Sequence, residues 1–185
     1  MPTNSLPEPA AAHPPTERSV DRAVGLITGG PGQVGSTIYG TLIVLTATTA
    51  GYAAERHRPG HLMELVVAAV VVFWLAYVYA HALSESIEQG RSLTRETLIV
   101  VAHKESGMLL AAVPPVIALL LGALGILDES ASIWIAIGLG ILALILAGYR
   151  YSRIERLSIG LTMVIITVNV LIGLAVVLLK VSLVH

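Results

Sequence analysis

Five stretches of the chain are nearly free of charge and long enough for a bilayer. They cover about residues 36–54, 62–84, 108–127, 132–149 and 158–179. Crossing a hydrocarbon layer about 30 Å thick takes roughly 20 apolar residues of helix. Lipid leaves backbone N–H and C=O groups no partner outside the segment, so each stretch is predicted to be α-helical. The segment "RSLTRETLIVVAHKESG" between the second and third is too charged at Arg95, Glu96, His103, Lys104 and Glu105 to cross. It predicts an interfacial helix over about residues 94–106, with Thr94 as N-cap and Leu93 and Leu98 as a hydrophobic staple. Leu98, Val101 and Ala102 are expected in the membrane interface, with Arg95, Glu96 and His103 toward water. This helix should continue into the third span, and Pro114-Pro115 should kink that span. Such a pair can mark a gating hinge, but proline is common in membrane helices and ordinary packing explains it.

Composition agrees with the pattern. Only 12% of the residues are charged and 55% are hydrophobic, with a mean hydropathy of +0.81. A soluble domain carries about a quarter charged residues, so lipid must solvate much of this surface. The expected fold is therefore all-α, a polytopic membrane protein of five transmembrane helices plus the interfacial helix. Residues 1–35 form the expected tail. Its proline-rich beginning, to about residue 15, should be disordered, and residues 16–28 can form a short surface helix. No cleavable signal sequence is expected at this end. The tail and the second and fourth connections hold eight of the eleven Lys and Arg residues, and the opposite side holds three. Positive charge stays inside, which predicts a multi-pass protein of the cell membrane with a cytoplasmic N-terminus and an external C-terminus.

The stretch "GGPGQVGST", from Gly29 to Thr37, approaches the phosphate-loop pattern G-x-x-x-x-G-K-[ST], but Ser36 stands where lysine is needed. It also opens a membrane span, whereas a phosphate loop opens a helix packed on a soluble sheet. A flexible entry to the first span is the better reading, with Ser36 or Thr37 capping that helix, and no nucleotide is expected. The net charge of −1 offers nothing to attract nucleic acid. Cysteine is absent, which excludes disulfides, thiolate metal sites and cysteine nucleophiles.

One polar constellation stands out. Trp74, Tyr77, His81, Glu85 and Glu88 follow steps of three and four, so they share one face of the second span. His81 and Glu85 are one turn apart and can share a hydrogen bond. A histidine backed by a carboxylate near membrane depth suits proton relay or pH gating. The alternative is structural: His81 bonds to Asn169, a threonine or a carbonyl and fixes packing, the tyrosines anchor the interface, and the two acids are solvated. One histidine and two acids supply too few ligands for a metal centre. The loop Glu55–His61 adds two more histidines, but Pro59-Gly60 should keep them off one helical face. No G-x-S-x-G elbow, HExxH or acid pair of defined geometry appears, so no cofactor and no enzymatic activity are expected.

Helices in lipid associate through small residues and interhelical hydrogen bonds. Gly122 and Gly125 of the third span, Gly140 of the fourth, and Asn169 and Gly173 of the fifth are the expected contact positions. Some of these faces can serve a homo-oligomer or a partner membrane protein.

At "STIYGTLIVLTA", "VFWLAYVYAHALSESI" and the closing "LKVSLVH", the chain resembles a group of small integral membrane proteins of actinobacterial type. That resemblance covers most of the chain after the tail. It implies the spans and a membrane location, and it transfers no catalytic or binding residue. A structural or accessory membrane subunit is thus the expected function. A small channel, transporter or pH-responsive module built on the polar face is the alternative, and a membrane enzyme ranks last.

Overall fold

The computed structural model of the protein describes residues 33–53, 58–88 and 90–183. The tail, where a surface helix is expected, residues 29–32 of the glycine-rich stretch and the loop at 54–57 lie outside the described residues. Every regular element within them is helical: α1 (Val34–Ala53), α2 (Pro59–Glu88), α3 (Arg95–Lys104), α4 (Gly107–Ala123), α5 (Glu129–Ile154) and α6 (Ile159–Leu183). Four of these, α1, α2, α5 and α6, are long and apolar enough to cross a membrane. The short pair α3 and α4, bent by 48° at its break, makes a fifth if counted as one span.

Helix α1 is the centre of the bundle and touches α2, α4, α5 and α6. Of its span-length window 61% is buried, against 22% for α2 and 11% for α6. A central helix in lipid still has to hide its polar groups, and α1 does so locally. The hydroxyls of Thr37, Thr41, Thr46 and Thr49 donate to carbonyls one turn back, at 2.8, 2.8, 2.7 and 2.6 Å. A threonine satisfied this way packs almost like valine. The core around it gathers Val44, Leu45, Leu62, Val66, Met108, Leu119, Ile133 and Leu144.

Glycine lets neighbouring backbones close on this core. A Cβ at Gly40 would lie 2.6 Å from the carbonyl oxygen of Met108, and one at Gly51 would lie 2.5 Å from Leu62. Of the expected contact positions, Gly122 faces the side chain of Ser132 across the α4–α5 contact. Gly140 and Gly173 both rest on Leu45, and Gly173 also meets Leu144. Leu45 thereby becomes the pin joining α1, α5 and α6. Asn169 approaches Gly148, its amide nitrogen 2.9 Å from where a Cβ would stand.

Gly125 corrects the expectation placed on it. It lies in the turn after α4 with φ at +71° and nothing within 4 Å of a Cβ. Ile126 donates to the carbonyl of Leu121 and Gly125 to that of Gly122, both at 3.0 Å, which is the Schellman ending of a helix. This is why α4 stops at Ala123 and not near residue 127. The same pair of bonds ends α2 at Gly90 (φ +60°) and α5 at Arg156 (φ +51°).

Two further expectations change. The bend of the third span falls between Lys104 and Gly107, and helix α4 runs unbroken through Pro114 and Pro115. Ser36 and Thr37 do not cap α1; both lie in its first turn, and their hydroxyls donate to the carbonyl of Gln33 at 3.0 and 2.8 Å. Proline at the other end does match its position. Pro59 opens α2, where its missing N–H costs no hydrogen bond.

Candidate functional site

The candidate polar face lies at the α3 end of the bundle. Helix α2 is longer than a span requires: its 30 residues reach about 45 Å at 1.5 Å per residue, roughly 15 Å more than the hydrocarbon. The overhang is paired with α3. Thr94 caps α3 as expected, its side chain accepting from Thr97 N at 3.3 Å. Leu93 and Leu98 both pack on a small cluster of Val78, Ala82 and Val101. Leu98, Val101 and Ala102 therefore face α2 and not the lipid interface, which corrects the expectation. The apolar residues that α3 leaves outward are Ile99 and Val100, 61% and 63% exposed.

The five residues of the polar face have different surroundings. Trp74 is half-buried and wedged between the main core and the α2–α3 cluster. Tyr77 is half-buried and stacks on Tyr39 of α1, with ring centroids 5.3 Å apart. His81 is exposed and lies against Tyr77 at 4.4 Å. Glu85 lines an open cleft of about 310 Å³ with Arg91, Ser92, Thr94, Glu96, Thr97 and Val100. Glu88 is exposed. The face is thus an aromatic stack ending in a surface histidine. Asn169 belongs to the α5–α6 contact, away from this stack, and Thr48 is buried in α1 with no hydrogen-bond partner for its hydroxyl among the described residues.

Glu105 is the residue the sequence pattern did not single out. It was grouped with the charges that keep this segment out of the bilayer, yet it is 6% exposed. The signal was present in its spacing. Leu98, Val101, Ala102 and Glu105 follow helical steps along one side of α3, so burial of the first three carries Glu105 inward. Next to it, Gln33 welds α1 to the α3–α4 corner, its amide donating to the carbonyl of His103 and to the hydroxyl of Ser106, each at 2.9 Å. Gly107 makes room for this weld; a Cβ there would lie 2.7 Å from the carbonyl oxygen of Gln33 and from Thr37 Oγ1.

At the opposite end, Arg58, His61, Glu64 and Glu129 border a second open cleft of about 390 Å³, with His61 Nδ1 3.8 Å from Glu64 Oε2. Among the described residues no three His, Asp or Glu side chains come together as a metal-ligand set. Compared with known proteins, the chain matches no family model, no curated protein sequence and no solved structure.

Helix α2 also leaves a long series of positions uncovered. Its buried spine is Leu62, Val66, Val70, Val78, Ala82 and Ser86. Ala68, Val72, Ala76, Ala80 and Ser84 are all exposed and are spaced four apart. The two series are offset by two residues, about 200° around the helix, so they run along opposite faces. Most glycines on α1, α4, α5 and α6 press on a neighbouring helix, with Gly35, Gly138 and Gly160 open. The outer spine of α2 does not.

Proposed function

We propose that the protein is a structural or accessory subunit of the cell membrane that docks laterally through α2. The occupant is a transmembrane helix of a partner membrane protein or of a second copy. The observation that carries this reading is the uncovered small-residue spine Ala68–Ala76–Ala80–Ser84. Hydrophobic burial drives little association between helices already in lipid, so close backbone approach over small residues has to do it. The uncovered face of α6 carries no comparable run of small residues at four-residue spacing: Gly160, Thr167 and Ala175 stand among bulky Leu161, Met163, Val164, Val168, Leu171 and Ile172, which suit lipid chains. The overhang of α2 with α3 extends the same docking element beyond the bilayer, where Ile87, Ile99 and Val100 are 73%, 61% and 63% exposed. The excess of Lys and Arg on this side favours a cytoplasmic position for this end.

Leucine in the spine tests the reading. The double substitution Ala76→Leu with Ala80→Leu keeps the helix and adds bulk only on the outer face. It should weaken the complex seen on native gels in mild detergent by about tenfold or more, equivalent to about 1.4 kcal/mol. The control Met163→Ala on α6 should leave it intact. A complex unchanged by the spine substitutions, or no complex in the parent protein, would remove this reading.

A further inference from the structure

Helix α3 is covered on one side only. Leu98, Val101 and Ala102 pack toward α2, and the opposite side carries Glu96, Ile99, Val100 and His103, all exposed. Ile99 and Val100 stand on either side of the line from Glu96 to His103, about 100° apart around the axis. A short helix with apolar residues on both sides is built to be covered on both.

The chain itself leads to a cover. The described residues begin at Gln33, whose amide holds the His103 carbonyl and the Ser106 hydroxyl. The residues before it therefore set out from the C-terminal end of α3. Between Thr28 and Gln33 lie only residues 29–32, at most about 17 Å of extended chain, and α3 is about 15 Å long. Every point along α3 is thus within reach of Thr28. Before Thr28 the sequence places Val20, Ala23, Val24 and Ile27 at steps of three and four, which give one apolar side to a helix. Lipid is the competing cover, but Glu96 lies between Ile99 and Val100 and opposes a negatively charged leaflet.

We propose that residues 16–28 of the chain's own tail cover the outward face of α3, with Val20, Ala23, Val24 and Ile27 laid along Ile99 and Val100. Running back from Gln33, the segment brings Ile27 to the His103 end of α3 and Val20 to the Arg95 end. Glu17 and Asp21, on the flank of the apolar side, then meet Arg91 and Arg95, while Arg18 and Arg22 face water. A partner that uses this end of the docking element has to displace the tail first. That consequence rests on docking through α2, whereas the contact itself does not.

The chain has no cysteine, so paired cysteines test the contact in the purified full chain in nanodiscs. Val24→Cys with Ile99→Cys should close to a disulfide under mild oxidation, read as loss of both maleimide-reactive thiols at monomer mass. The control pair is Val24→Cys with Ile159→Cys, at the exposed start of α6 on the same end of the bundle. The first pair should form at least about tenfold faster, because only a docked pair is held at contact distance. Equal rates, or a faster Ile159 pair, overturn the proposal. Since Ile99→Cys alters the face under test, a nitroxide on Val24→Cys alone gives a second measure. It should be slowed in the otherwise unsubstituted chain and shielded from lipid-dissolved oxygen, and Ile99→Asp with Val100→Asp should release it. A label that collides freely with oxygen in the acyl region lies on lipid and contradicts the contact, as does one indifferent to the two substitutions.

Discussion

Glycine and glutamate residues carry the details that most affect the chemistry of this chain. At Gly40 a Cβ would come within 2.6 Å of the Met108 carbonyl oxygen and 2.7 Å of its Cα. Both are backbone atoms and cannot move aside as a flexible side chain would. Gly40→Ala should therefore lower stability by roughly 1–3 kcal/mol, the usual cost of overpacking, read as a fall in the thermal midpoint in detergent. Gly138→Ala is the control, because nothing lies within 4 Å of its Cβ; it should be neutral or mildly stabilising. The sequence shows that glycines sit in spans but not which ones are pressed. Gly122 and Gly125 are three residues apart, and one closes a helix contact while the other turns the chain. The difference depends on the turn after α4, which no small-residue spacing reveals. Glu105 was missed for a related reason. Its charge argued for water, and the burial of α3 against α2 overrode that preference.

Helix ends followed backbone geometry more than hydropathy. Hydropathy located each apolar stretch to within a few residues, because lipid and core both demand it. It could not locate the last turn, where polar residues continue α2 to Glu88 and α5 to Ile154. Those ends are set by Schellman turns at Gly90 and Arg156. The second is strained, since an L-residue other than glycine at φ +51° pays about 1–2 kcal/mol. Arg156→Gly should relieve most of it and raise the thermal midpoint by a few degrees; an unchanged or lower midpoint would show that the arginine's contacts matter more. The bend of the third span likewise ignored its most obvious cause. Pro114 and Pro115 lie within continuous α4, and the axis turns where Gln33 grips the residues around the break. Prolines mark where a helix can yield, while a tertiary contact decides where it does.

The bundle as a unit is built around α1, whose threonines other than Thr48 donate to carbonyls of their own helix and free it to be surrounded. That arrangement closes nearly every small-residue face foreseen from the sequence and leaves open one that was not, on α2. The polar face of α2 divides in the same way. Its aromatic part, Trp74 and Tyr77, packs inward, and its charged part, His81 and Glu88, turns outward. Periodicity put these five residues on one side of a helix, but that side is shared between core, corner and surface. What distinguishes them is the position of α3, set by a cap and a staple of ordinary type.

The open spine can be mapped residue by residue because the chain has no cysteine of its own. Single cysteines placed in turn at Ala68, Val71, Val72, Leu75, Ala76, Tyr79, Ala80 and Ser84 are crosslinked in native membranes with a short bifunctional thiol–photoreactive reagent. Crosslinking should peak at Ala68, Val72, Ala76, Ala80 and Ser84 and fall at Val71, Leu75 and Tyr79, following a four-residue period. A flat profile, or products arising only from cysteines placed at Met163 and Val168 of α6, would show that α2 is not the docking helix.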